Sequence, residues 1–98
     1  MTGPGQRLLV EGAHILRFAA HTRMSFDEKR NRWMVLAPER LLLPDAPAVE
    51  ILKRIDGAKS VTLIIDELAA QFDAPREVIA RDVGAVLQDL LDKGILTA

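Results

Sequence analysis

Two prolines, Pro38 and Pro44, bracket a short apolar run and split this chain into halves with different hydrophobic periods. A proline ring removes the ladder N–H and pushes the preceding residue into extended geometry, so each of these residues ends whatever strand reaches it. Upstream the period is two: Thr22, Met24 and Phe26 alternate with Arg23 and Ser25, the pattern of a half-buried strand. The polar stretch 27–31 turns the chain, and Arg32-Trp33-Met34-Val35-Leu36 returns it as a hairpin with a loop of about five residues. Between the prolines, Arg40-Leu41-Leu42-Leu43 makes a third short strand, stopped by Pro44.

Downstream the period becomes 3.6. Pro47 suits a first helical turn, and Ala48, Val49, Ile51, Leu52 and Ile55 share one face, with Asp56-Gly57 as the stop. Thr62 is the expected N-cap of a second helix that turns Ile64, Ile65, Leu68, Ala69 and Phe72 inward. Asp73-Ala74-Pro75 breaks it, and a third helix runs from Pro75 to Lys93 with Gly94 beyond and Ile95-Leu96 folding back onto it. The expected fold class is α+β, a three-stranded antiparallel sheet followed by three helices, winged-helix-like. Ninety-eight residues sustain one core. Residues 1–15, with Gly3-Pro4-Gly5 and Gly12, are expected as a flexible N-terminal tail and residues 16–98 as the domain.

Catalysis finds little support. The chain has no cysteine, which removes thiolate nucleophiles and zinc–thiolate sites. Ser25 falls on a strand face and Ser60 at a helix start, where capping accounts for it. His14 and His21 lack a carboxylate at metal-ligand spacing, and Asp66-Glu67, Asp89 and Asp92 fit solvated helix faces. The expectation is a protein that is not an enzyme, with no metal and no cofactor. No apolar run approaches the ~20 residues of a membrane span, so no membrane partner and a cytoplasmic location are expected.

A winged helix raises the alternative of a DNA-binding transcription regulator, with the third helix in the major groove. Charge argues against it. Residues 1–44 carry +3 and residues 45–98 carry −4, and the candidate reading helix holds Glu77, Asp82, Asp89 and Asp92 against Arg76, Arg81 and Lys93. Carboxylates facing phosphates oppose binding, so no nucleic-acid partner is expected. A salt titration separates the classes, because a DNA binder loses affinity steeply with salt.

What remains is recognition of a peptide. On the third helix Ile79, Val83, Val86 and Leu90 form an inner stripe, and Ala80, Gly84, Leu87 and Leu91 form a second beside it. Together they span an apolar arc of roughly 160°, against the ~100° that one core contact needs. A central helix touching two neighbours accounts for that width; so does a groove for another chain, floored by the small residues Ala80 and Gly84. The third strand, short and bounded by prolines, sits at a sheet edge where an extended peptide can add as another strand. The expected peptide-binding residues are Arg40, Leu41, Leu42 and Leu43 on the strand and Ala80, Val83, Gly84, Leu87 and Leu91 on the helix.

These residues also carry a resemblance. Arg23-Met24-Ser25-Phe26-Asp27, Arg30, and the run from Trp33 through Ala37-Pro38-Glu39-Arg40 resemble the N-terminal signature of the PqqD family. Asp56-Gly57, Ala69-Ala70-Gln71-Phe72-Asp73, Ile79-Ala80-Arg81-Asp82-Val83 and Lys93-Gly94-Ile95-Leu96 follow in the family's order. The match spans about residues 16–98, and one departure, Leu43-Pro44-Asp45 in place of the more usual Glu-Leu and Asn or Asp, bears on where the third strand ends. The resemblance implies a non-catalytic peptide chaperone of pyrroloquinoline quinone (PQQ) biosynthesis, a recognition element for a ribosomally made precursor. It implies binding of the precursor peptide PqqA between the third strand and third helix, and presentation to the radical-SAM enzyme PqqE, which cross-links a Glu and a Tyr. Members occur free or fused to PqqC, which adds PqqC to the expected partners and makes the tail an echo of a linker. Two further expectations concern single sites: Trp33 is a buried bridge between sheet and helices, and the PqqE contact lies away from the groove on polar faces that include Asp66 and Glu67.

Overall fold

The computed structural model describes residues 8–98. Its elements in order are β1 (Arg17–Phe18), β2 (Arg23–Asp27), β3 (Arg32–Ala37), β4 (Arg40–Leu42), α1 (Ala46–Leu52), α2 (Val61–Gln71), α3 (Arg76–Asp92) and β5 (Leu96–Thr97). Strands β2, β3 and β4 form the expected three-stranded antiparallel sheet in that order, and the three helices follow it. A separate two-stranded ribbon of β1 and β5, which the sequence pattern does not reveal, joins the beginning of the described chain to its end.

The hairpin register follows from alternation. Met24 pairs with Val35 and Phe26 with Trp33, which puts these side chains on one face of the sheet, while Ser25 with Met34 and Arg23 with Leu36 point to the other. At the turn the Asp27 carboxylate accepts from the N–H groups of Lys29 and Arg30, and Asn31 takes the left-handed conformation (φ 54°). Ala37 pairs with Arg40, so Pro38 and Glu39 alone connect β3 to β4. β4 bonds to β3 on one side only, which makes it an edge strand, as its flanking prolines imply.

Helix α1 starts where Asp45 accepts from the Ala48 N–H at 2.9 Å, with Pro47 in the first turn. Helix α2 is capped by Ser60, not by Thr62: the Ser60 hydroxyl accepts from the Leu63 N–H at 3.1 Å. The helix starts two residues earlier than Thr62 implies, because Ser60 has the extended backbone of an N-cap and its hydroxyl reaches the third N–H of the first turn. Helix α3 closes in a Schellman motif: the Gly94 N–H donates to Leu91 O and the Ile95 N–H to Leu90 O, with Gly94 at φ +74°. Ile95 and Leu96 fold back into the core as expected.

The core is one cluster in which Val35 from the sheet meets Ile51 and Leu52 of α1, Ile64 and Leu68 of α2, and Val83, Leu87 and Leu90 of α3. Leu16 and Leu96 close it from the ribbon end. The segment expected as a flexible tail is divided. Residues 1–7 lie outside the described residues, whereas residues 8–15 are bonded to the helices. Gly12 O and His14 O accept from the N–H groups of Thr62 and Val61, and the Gln88 amide accepts from the Val10 N–H and donates to Leu8 O. The first-turn N–H groups of α2 lack helical partners, and this segment supplies them. Trp33 differs too. It is half-buried at the end of the sheet, edge-to-face with Phe26 at 5.3 Å, with the Lys53 ammonium 5.4 Å from its ring centroid. It meets the end of α1 by this cation contact without entering the core cluster.

Candidate functional site

A cleft of about 260 Å³ lies between β4 and α3. Leu42 and Leu43 line the strand side with Pro44 and Asp45; Val86, Asp89, Leu90 and Lys93 line the helix side; Ala48 and Leu52 of α1 and Val35 of β3 complete it. Each wall has a sequence cause. Leu42 pairs with the buried Val35, so its side chain turns toward the helices, whereas Leu41 pairs with Leu36 and turns to the opposite face, where it is 53% exposed. On α3, Val86 and Leu90 continue the inner stripe, and Asp89 and Lys93 fall one position round, joined by an ion pair at 2.8 Å. The cleft is thus apolar at its floor with a rim of both signs, Asp45 on the strand side and the Asp89–Lys93 pair on the helix side. Arg40 and Lys93 line a separate depression beside the Pro38–Glu39 connection.

The expected site residues do not come together in one place. Leu42 and Leu43 line the cleft, Arg40 lines the separate depression, and Leu41 points away from the cleft. Leu87 has no exposed surface and Val83 is 2% exposed, so both are core residues, and Val83 also borders a different cleft. Leu91 lies beside Leu8 near the ribbon, on the face where Gln88 holds residues 8 and 10. Ala80 packs partly against the core. Gly84 is half-buried with open space above its Cα. The broad apolar arc of α3 therefore serves the core and the N-terminal segment, and the helix side of the cleft is built by Val86, Asp89, Leu90 and Lys93. The signal for these was present: Val86 and Leu90 lie on the inner stripe, and Asp89 and Lys93 adjoin it at helical spacing.

Because nothing meets a Cβ at position 84, Gly84→Ala should adopt the native helix without strain. It is expected to raise stability by about 0.4–1 kcal/mol through the entropy of the unfolded chain, measurable as a higher urea midpoint at unchanged slope.

A second cleft of about 300 Å³ lies among the helices, between Pro47 and Ile51 of α1, Leu68 and Phe72 at the end of α2, and Ile79 and Val83 of α3. It has no strand edge and so offers no row of backbone donors and acceptors. Of the two clefts, only the β4 cleft adjoins an open strand edge.

Several of the described titratable groups are engaged within the molecule. Asp66 binds Arg76 at 2.7 Å, Glu67 is held by Lys59 and Arg54, and His14 Nδ1 accepts from the Glu11 N–H. Asp66 and Glu67, expected on a partner-facing surface, each carry an ion pair there, and the Asp66 side chain stays half exposed. The Asp56 carboxyl is held below the usual aspartate value by the N–H groups of Lys59 and Ala58, which lock the loop between α1 and α2 far from the cleft. No group of three or more His, Asp or Glu suited to a metal occurs among the described residues, and no described helix is long and apolar enough to cross a membrane.

A family model described as "Coenzyme PQQ synthesis protein D (PqqD)" matches residues 32–96. A protein named "PqqA binding protein" from Rhodopseudomonas palustris (strain TIE-1) is 60% identical over 77 residues, 79% of this chain and 76% of that one. The protein of the same name from Bradyrhizobium diazoefficiens is 47% identical over 97 residues, 99% and 93% of the two chains. Among solved structures, the NMR structure of the PqqD truncation of Methylobacterium extorquens PqqCD superposes with a TM-score of 0.77 at 35% identity, covering 91% of this chain and 95% of that one. That protein is described as a functional, stand-alone recognition element for ribosomally synthesized, post-translationally modified peptides. The crystal structure of PqqD from Xanthomonas campestris gives a TM-score of 0.58 at 30% identity over the full length of both chains.

Proposed function

Since the chain belongs to the PqqD family, we propose that it is a recognition element of PQQ biosynthesis that binds PqqA as an additional strand along β4. The observation that carries this reading is the unpaired edge of β4 standing in front of the apolar β4–α3 cleft. The backbone of β4 supplies affinity, and the cleft takes every second side chain of the added strand. The relatives named for binding PqqA support the choice of ligand.

The bound peptide is presented to PqqE, which carries out the Glu–Tyr cross-link; PqqC enters as a further partner because the comparison structure is a truncation of PqqCD. The role is binding and presentation without catalysis or cofactor, consistent with Ser60 serving as a cap and Asp66 and Glu67 carrying ion pairs. Charge disfavours the transcription-regulator alternative: Arg76 and Lys93, near the two ends of α3, are neutralised by Asp66 and Asp89.

Titration of the ¹⁵N-labelled protein with PqqA peptide tests the reading. The expected result is amide shifts concentrated at residues 40–43 and at Val86, Asp89, Leu90 and Lys93, with affinity only weakly dependent on salt. Shifts confined to the cleft among the helices would place the peptide there and overturn the β4 site.

A further inference from the structure

The two clefts are neighbours along one helix. The cleft among the helices meets α3 at Ile79, Asp82 and Val83, and the β4 cleft meets it at Val86, Asp89, Leu90 and Lys93. These positions follow one another at helical steps of three and four, so α3 is a floor common to both. Helix α1 divides them: Ala48 and Leu52 line the β4 side, and Pro47 and Ile51 line the other. At its first turn the divider is low, because Ala46 and Pro47 are exposed and carry short side chains.

Chain direction puts the second cleft in line with the strand edge. β4 begins at Arg40, which shares a depression with Lys93 at the end of α3, and leads through Leu43 and Asp45 into α1. A strand paired to β4 that continues past Asp45 therefore heads for the N-terminal half of α3, where the second cleft lies. Asp82 and Asp89 are seven positions apart on α3, ~10 Å at ~1.5 Å per residue. An extended chain covers that span in about three residues.

The second cleft offers a different contact from the first. Its volume of about 300 Å³ is the bottom of the ~300–1,000 Å³ range of small-molecule pockets, which suits one large side chain. Phe72 at the end of α2 lines it while remaining 43% exposed. The charged residues that line it are both carboxylates, Glu50 and Asp82. Glu50 is held by Lys53 and Arg54, whereas Asp82 forms no ion pair among the described residues. We propose that this cleft is a second subsite for the peptide bound on β4: it takes one aliphatic or aromatic side chain from the residues that continue past Asp45, and a lysine or arginine beside that side chain meets Asp82. The strand edge accepts extended backbone of many sequences, and the anchor adds selection for one. This proposal rests on the reading of β4 as the edge that the peptide extends.

Calorimetric titration of the full chain with PqqA, and with PqqA shortened from each end in turn, tests it. One shortened peptide keeps the β4 segment and lacks the anchor; it is expected to bind about tenfold more weakly, the weight of one buried apolar side chain. Ala46→Trp, which raises the divider, is expected to weaken full-length PqqA about tenfold and to leave that shortened peptide unaffected. Asp82→Lys, at an exposed position that folding tolerates, is expected to weaken full-length PqqA about threefold and likewise to spare the shortened one. Full-length PqqA is also expected to add a second, smaller set of amide shifts at Phe72, Ile79 and Asp82 that the shortened peptide does not produce. Shifts on β4 with none at these three residues, and an Asp82→Lys protein that binds full-length PqqA like the parent, overturn the proposal alone. Shifts in the second cleft without any on β4 overturn the underlying reading and the proposal together.

Discussion

Proline at Leu41 and proline at Leu42 are expected to have opposite effects, although the positions are neighbours. In an antiparallel strand successive N–H groups point to opposite edges, so one of the two faces β3 and the other faces the open edge of β4. The variant that strips the ladder bond should lose stability, by about 1 kcal/mol or more, because a bond inside the sheet is gone and the backbone is restrained. The variant that strips the open-edge donor should melt like the parent and bind PqqA at least about tenfold more weakly, since that donor and the space beside it are what an added strand uses. Leu42→Ala keeps every backbone group and removes only a cleft contact, so its loss of affinity should be smaller than that of the open-edge proline. Calorimetric titration with PqqA, after thermal melts of each variant, reads all three. Two folded proline variants that both bind like the parent would remove the peptide from β4.

The second large effect is on stability. Leu87 sits on the face of α3 that a helical wheel offers as a groove, yet it has no exposed surface. Leu87→Ala should therefore cost about 2–5 kcal/mol, the usual price of emptying a buried leucine site, out of the ~5–15 kcal/mol that holds a domain of this kind together. The urea midpoint reads it directly, and a Leu87→Ala protein as stable as the parent would put that face of α3 on the surface.

The elements that were legible in the sequence share a physical feature: their signal is local. The β2–β3 hairpin and β4 could be placed because alternation, a polar turn and two prolines all lie within about twenty residues. The Schellman end of α3 could be placed because Gly94 and Ile95 are its own next residues. The β1–β5 ribbon could not, since two-residue strands carry no period and Arg17 finds its partner at Thr97. The same distance hid the role of residues 8–15, whose carbonyls complete the first turn of α2. For the cleft, the strand wall was readable from Pro38 and Pro44 alone. The helix wall was not, because a wheel shows which residues of α3 are apolar and not which neighbour each stripe meets; that choice depends on where α1 and the N-terminal segment settle. The cap of α2 shows the same limit at one residue's scale: Ser60 and Thr62 both have cap chemistry, and the backbone geometry at Ser60 decides between them.

The β1–β5 pairing also has a kinetic consequence. Arg17 and Thr97 are eighty positions apart, and joining segments so distant costs roughly 2 kcal/mol more loop entropy than closing a ten-residue hairpin. The ribbon is therefore favoured once α2 and α3 already hold its two segments close together, with the N-terminal bonds to Thr62 and Gln88 beside it. It works as a clasp on the helical side of the molecule, and β4 belongs to a different sheet. On the proposed reading, a peptide would join and leave the free edge of that sheet while the clasp stays shut, and its loading and release would not require any partly unfolded form of the protein.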